Sequence, residues 1–126
     1  KVKSNMDSGM FQPLQAAAAE ALNAPEEWYE TVNTAYRKRR KVAEEIMITL
    51  GCRYDEKQSG LFLWGKIPDC YNNSEELTEF LLHKANVFIT PGFIFGKNGD
   101  NYIRISLCAT EDVLTNALNR IKTIIN

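Results

Sequence analysis

The sequence predicts an α+β fold, a two-layer sandwich in which a small sheet has helices packed on one face. Two observations carry that expectation. From residue 25 onward the hydrophobic periodicities run in the order α-β-α-β-β-α. With 126 residues, 44% of them hydrophobic and 25% charged, the chain suits one modest core.

The elements follow in order. Residues 1–12 read as extended or irregular, with Asn5, Asp7, Ser8 and Gly9 as turn-formers. "PLQAAAAEAL" reads as a short helix, with Pro13 in its first turn and an alanine run behind it. "NAPEEW" is a break and a restart, where Pro25 suits the first helical position and Glu26 and Glu27 complement the positive end of the helix dipole. The helix that follows, over 25–50, carries one apolar stripe through Trp28, Val32, Ala35, Tyr36, Val42, Ala43, Ile46, Met47 and Leu50. Gly51 is its left-handed stop. At 1.5 Å per residue such a helix is about 37 Å long, more than a small domain needs, so one end is expected to project toward something else.

Gly60 to Ile67 reads as a strand closed by Pro68. "NNSEELTEFLLHKA" reads as a helix: Asn73 and Glu76 have capping-box spacing, and Leu77, Phe80, Leu81 and Ala85 form the inner face. "VFITPGFIF" is a strand interrupted at Pro91-Gly92, and "GKNGDN" is a turn in which Asn98-Gly99 can supply positive φ. "YIRISL" is the third strand. Thr110 caps the last helix, whose Val113, Leu114, Ala117, Leu118, Ile121 and Ile125 face inward.

Composition excludes several functions. Lys+Arg number 15 against 16 Asp+Glu, so the net charge of -1 offers no global attraction to nucleic acid or an anionic membrane. No apolar run is long enough to span a bilayer. "RKRRK" (Arg37 to Lys41) wraps the whole circumference of its helix with no interleaved aromatic platform, and reads as a solvated face. Cys52, Cys70 and Cys108 are odd in number and far apart, which fits a reducing cytoplasm rather than a disulfide scaffold. His83 is the only histidine and reads as a surface residue, so neither a Cys–His pair nor a histidine-rich metal site has material here, and no metal is expected.

One residue stands against its surroundings. In "YIRISL", Ile103, Ile105 and Leu107 point to one side of the strand, and Tyr102, Arg104 and Ser106 to the other. A guanidinium is always charged and costly to bury without an anion. Either water reaches that face or a carboxylate does.

"SNMDSGMFQPLQAAAAEAL", "GLFLWGKIP", "FITPGFIFGKNGDNYIRISL" and "ATEDVLTNALNRI" succeed one another in an order that resembles the C-terminal third of the class I/II aminotransferases, the aspartate-aminotransferase-like, fold-type-I pyridoxal-phosphate enzymes. The most specific part is a Pro-Gly loop, then Phe-Gly, a short turn and a strand with a central Arg. The resemblance implies that residues 1–24 are the tail of a large cofactor-binding domain and 25–126 the C-terminal small domain. It implies that Arg104 binds the substrate α-carboxylate. Leu61 and Phe62 lie where the family's strand borders the substrate side chain, although both could equally be core packing. Phe93 lies near the active-site mouth, and Ser8 and Gly9 where relatives approach the neighbouring subunit's cofactor site. Lys3 stands near where some relatives carry an Arg for a distal carboxylate.

The same resemblance implies an amino-acid and a 2-oxo-acid substrate, pyridoxal phosphate as cofactor, a large domain of the same polypeptide as partner, and a cytoplasmic homodimer. The family's Schiff-base Lys sits in a Ser-x-x-Lys setting that Lys38, Lys66 and Lys97 do not share. The chain is therefore expected to be a cut piece, inactive alone and unable to hold the cofactor by itself. A free-standing amino-acid-binding regulatory domain, or a fold-related lyase or decarboxylase, stays open beside the transaminase.

Overall fold

The computed structural model describes residues 11–125. In chain order they form α1 (Gln12–Leu22), α2 (Glu26–Thr49), β1 (Phe62–Lys66), α3 (Ser74–Ala85), β2 (Thr90–Pro91), two 3-10 turns (Gly92–Phe95 and Lys97–Gly99), β3 (Tyr102–Ser106) and α4 (Glu111–Ile125). The chain divides into two compact units, one ending at Thr34 and the other beginning at Ala35.

In the first unit every residue of α1 is exposed. An alanine run offers methyl groups and little bulk, so it has nothing large to bury. The Tyr29 hydroxyl donates to the Ala21 carbonyl at 2.6 Å. Trp28 meets the Tyr29 ring edge-on at 5.1 Å and stays exposed. Of the stripe expected along α2, full burial begins at Ala43, while Tyr36 and Val42 pack partly buried against the core.

The second unit holds the core. Its sheet has the order β1-β3-β2, antiparallel throughout. β3 is the central strand, with Trp64 and Thr90 opposite Arg104 on its two sides. Period-2 alternation sends Leu63, Ile103, Ile105 and Leu107 to one face. There they pack with Ile46 and Met47 of α2, Leu77 and Leu81 of α3, and Leu114, Leu118 and Ile121 of α4. All three helices lie on that face, which is the two-layer α+β arrangement expected. Phe62, Trp64, Tyr102, Arg104 and Ser106 occupy the opposite face.

Several local expectations are corrected. β1 is shorter than Gly60–Ile67, because Gly60 has a φ of +95° and cannot continue a ladder. The segment read as an interrupted strand pairs only at Thr90–Pro91; Gly92–Phe95 is a 3-10 turn. A close backbone crossing forces this. A Cβ at Gly92 would collide with the Gly99 carbonyl oxygen and stand 2.7 Å from that of Tyr102. Gly99 is thus required for its lack of a side chain, not for the positive φ expected of it; that role falls to Gly96, at +119°.

At the start of α3, Asn73 accepts from the Glu76 amide at 2.9 Å as expected. The Glu76 carboxylate turns instead to the Asn72 amide and side chain, both at 2.8 Å, so only half of a capping box forms. Val113 and Ile125 are exposed rather than inward. Leu114, Leu118 and Ile121 already fill the inner stripe, and Val113 falls about 100° away from it.

The basic run is not simply solvated. Arg40 pairs with Glu44 at 2.8 Å and donates to the carbonyls of Glu56, at 3.0 Å, and Gln58. Arg39 donates to the Leu107 carbonyl at 3.2 Å. The Gln58 amide in turn brackets Trp64, accepting from its N–H at 2.9 Å and donating to its carbonyl at 2.8 Å. This ties the loop after α2 to the outer edge of β1. His83 is exposed and pairs with Glu79 at 2.9 Å on the same helix.

Two predictions follow from this packing. Gly92→Ala adds a methyl group where backbone, not a flexible side chain, stands in the way. It should destabilise the chain by about 2–3 kcal/mol, read as a lower urea midpoint at unchanged m-value.

The buried Cys52 thiol is pushed up to about 12, mainly by desolvation and further by nearby Cys70. It should therefore react with a disulfide reagent at neutral pH long after the exposed Cys70 and Cys108. Because its folded pKa lies above the ordinary 9.0, its contribution to stability is full below pH 9 and is lost as pH rises toward 12. Cys52→Ala, less stable at neutral pH, should show less loss across that window in denaturation midpoints.

Candidate functional site

The site is built on β3, and all of it lies in the unit that begins at Ala35. Arg104 is half-buried at the middle of the central strand. Its neighbours Ile103 and Ile105 are sealed in the core, which fixes the backbone from which the guanidinium projects. Two rings contact that guanidinium. The Phe62 centroid is 4.2 Å from Cζ and the Phe95 centroid 4.3 Å. Phe62 comes from β1, diagonally across the ladder from Arg104. Phe95 comes from the 3-10 turn after β2, and its ring also meets Trp64 edge-on at 5.3 Å.

Hydrogen bonding at Arg104 is incomplete. Its Nε is buried with no partner, and no carboxylate pairs with it among the described residues. A guanidinium carries five N–H donors, and a buried one without an acceptor is costly. The buried Nε is out of reach of an incoming ligand; the Nη fork is the edge that could take an anion from elsewhere, and it matches a carboxylate edge to edge. A cavity of about 530 Å³ also opens beside the strand, lined by Phe88, Thr90, Arg104, Ser106, Val113 and Arg120 among others.

The structure brings some of the sequence-nominated residues together. Arg104 and Phe62 are in contact. Leu61 is exposed, and its carbonyl accepts from the Leu107 amide at 2.9 Å. Phe93 is exposed, and the turn aromatic that touches the guanidinium is Phe95. Ser8, Gly9 and Lys3 lie outside the described residues. Sequence reasoning passed over Phe95, although it belongs to the Phe-Gly pair that the motif contains. Choosing between Phe93 and Phe95 requires the turn geometry.

Pyridoxal phosphate needs an amine for its aldehyde and donors for its phosphate. Among the described residues no lysine lines the cavity beside Arg104, and no group of His, Cys, Asp and Glu could hold a metal ion. The described residues therefore fit a carboxylate-binding part of a site and do not furnish the cofactor's anchoring set.

The chain and its small antiparallel sheet, covered by helices on one face, match known proteins over nearly their whole extent. The sequence model for "Aminotransferase class I and II" matches residues 1–121, and the chain belongs to that family. The family depends on pyridoxal phosphate. Among curated relatives, the LL-diaminopimelate aminotransferase of Halothermothrix orenii is 37% identical over 122 residues, covering 97% of this chain and 31% of its own length. That of Aquifex aeolicus is 38% identical over 124 residues, covering 98% and 32%. Among solved structures, an aminotransferase from Staphylococcus aureus superposes with a TM-score of 0.76 at 29% identity, covering 98% of this chain and 33% of that one. A probable N-succinyldiaminopimelate aminotransferase from Thermus thermophilus gives 0.78 at 25% identity, covering 97% and 32%. The chain thus spans about a third of the length of the relatives it matches.

Proposed function

We propose that this chain is the C-terminal domain of a pyridoxal-phosphate transaminase that moves an amino group between an amino acid and a 2-oxo acid, with Arg104 holding the substrate α-carboxylate. The observation that carries the assignment is the Arg104 guanidinium. It is half-buried on a rigid central strand, ringed by aromatics, and has no carboxylate of its own among the described residues. Residues 1–24 belong with the large domain in this reading. The parent works as a cytoplasmic homodimer; free thiols at Cys52, Cys70 and Cys108 accord with a reducing compartment. No helix among the described residues is long and apolar enough to cross a membrane.

Pyridoxal phosphate, held by the rest of the polypeptide, supplies the electron sink. The task of this chain is to bind and orient. Two parallel hydrogen bonds from Arg104 fix the carboxylate plane and therefore the direction of the Cα–H bond. Seating the carboxylate on Arg104 also excludes water from that end of the substrate. The amino donor to test first is LL-diaminopimelate, because the named relatives carry it in their names. A free-standing amino-acid-binding domain would use the same Arg104. It would differ in binding amino acids stoichiometrically as this chain alone.

Arg104→Lys in the full-length protein keeps the charge and loses the planar fork. It should remove one charge-assisted hydrogen bond, worth about 1.5–3 kcal/mol, and so lower kcat/KM on the order of 10- to 100-fold. Cofactor absorbance should stay unchanged on the same preparation. Unchanged kcat/KM for every accepted amino acid would reduce Arg104 to a strand-surface residue.

A companion experiment concerns this chain alone. Mixed with pyridoxal phosphate and borohydride, it should show only scattered surface-lysine labelling. A stoichiometric adduct at a single Lys would overturn the division of labour proposed here.

A further inference from the structure

We propose that Phe62 and Phe95 are positioning residues for Arg104: they pre-orient its guanidinium and thereby set how tightly the carboxylate is held. The inference rests on the carboxylate reading of Arg104. An arginine side chain has four rotatable bonds, and something must hold its plane if two parallel hydrogen bonds are to form without a large ordering cost. The usual restraint is a hydrogen-bonded partner. Here Nε has none, and no carboxylate pairs with the group among the described residues. What remains against the guanidinium is two phenyl rings, at 4.2 Å and 4.3 Å from Cζ.

Rings suit this task chemically. An aromatic face attracts the cation yet accepts no conventional hydrogen bond, so it can restrain the guanidinium while leaving the Nη donors for an incoming anion. A carboxylate in the same place would fix the plane but neutralise the charge that the substrate needs.

The rings are themselves held. Phe62 belongs to the β1–β3 ladder, whose outer edge is bracketed by Gln58. Phe95 leans on Trp64 at 5.3 Å. Its turn is set by the Gly92–Gly99 crossing at one end and by Gly96 in the left-handed region at the other. The two residues are 33 positions apart and reach the same guanidinium only because the turn after β2 folds back over the sheet.

The test is a kinetic series on the full-length protein with cofactor: Phe95→Leu, Phe62→Leu, Phe95→Tyr, and Arg104→Lys as reference. Leu keeps apolar bulk and removes the π face; Tyr restores it. Each Leu variant should raise KM for the amino donor about 3- to 10-fold, the size of a partly desolvated cation–π contact. The value of kcat should stay within about twofold, because Arg104 keeps both donors and, once the carboxylate is seated, the Cα–H bond has the same direction; the rings set only how readily the carboxylate is seated. Phe95→Tyr should return KM to within about twofold of wild type.

If Arg104→Lys impairs the enzyme while both Leu variants leave KM untouched, the positioning role is wrong and the carboxylate reading survives. Should Arg104→Lys also have no effect, both fall together. Loss of kcat and thermal midpoint in the Leu variants, unrepaired by Tyr, would make the rings structural props and overturn the proposal. Phe62 lies on a strand and Phe95 on a turn, so either variant decides the question if the other fails to fold.

Discussion

A permanently charged side chain stands one residue away, on both sides, from a dry core. The rest of the described structure depends on that arrangement at β3. The period-2 geometry of a strand permits it: Ile103 and Ile105 enter the core while Arg104 emerges on the opposite face. The core residues hold the backbone, and the backbone fixes where the guanidinium starts. A slip of one residue in register would bury the charge and expose three aliphatic side chains. Strand β3 is central in the sheet, laddered to β1 on one side and β2 on the other, so the slip would break both ladders at once.

Around this strand the structure separates two kinds of work. The helical face supplies stability through aliphatic packing from α2, α3 and α4. The open face carries the aromatics Phe62, Trp64 and Tyr102 and the cations Lys66 and Arg104. The side chains of Arg39, Arg40 and Gln58 join the two, pinning loop carbonyls and the sheet edge without entering either the core or the site. Charges that composition alone would assign to solvent are thus used to hold loops that have little apolar surface of their own.

Family membership and physical geometry make different contributions. The match to class I and II aminotransferases covers nearly the whole chain and places it in a family that depends on pyridoxal phosphate. Membership does not explain why an arginine without a carboxylate partner among the described residues is tolerated in a half-buried position. The two rings do, by replacing part of the hydration of the cation with polarizable faces while leaving its donor edge unused.

Much of this was legible in the sequence alone. The helix–strand order and the inward face of β3 follow from periodicity, and the cost of burying a guanidinium leaves Arg104 needing either water or an anion. These are local properties, written within a few residues. The full burial of α2 only from Ala43, the 3-10 turn in place of a strand, and the selection of Phe95 over Phe93 were not legible. Each depends on what comes near from far along the chain. Gly92 and Gly99 look like ordinary turn glycines until their backbones cross, and that crossing turns the chain so that the Phe95 ring lies on Arg104. Sequence determined which residue carries the charge, because side-chain chemistry and strand alternation are local. Tertiary structure alone decided what holds that charge in place, because a contact between residues 62, 95 and 104 exists only after the sheet has formed.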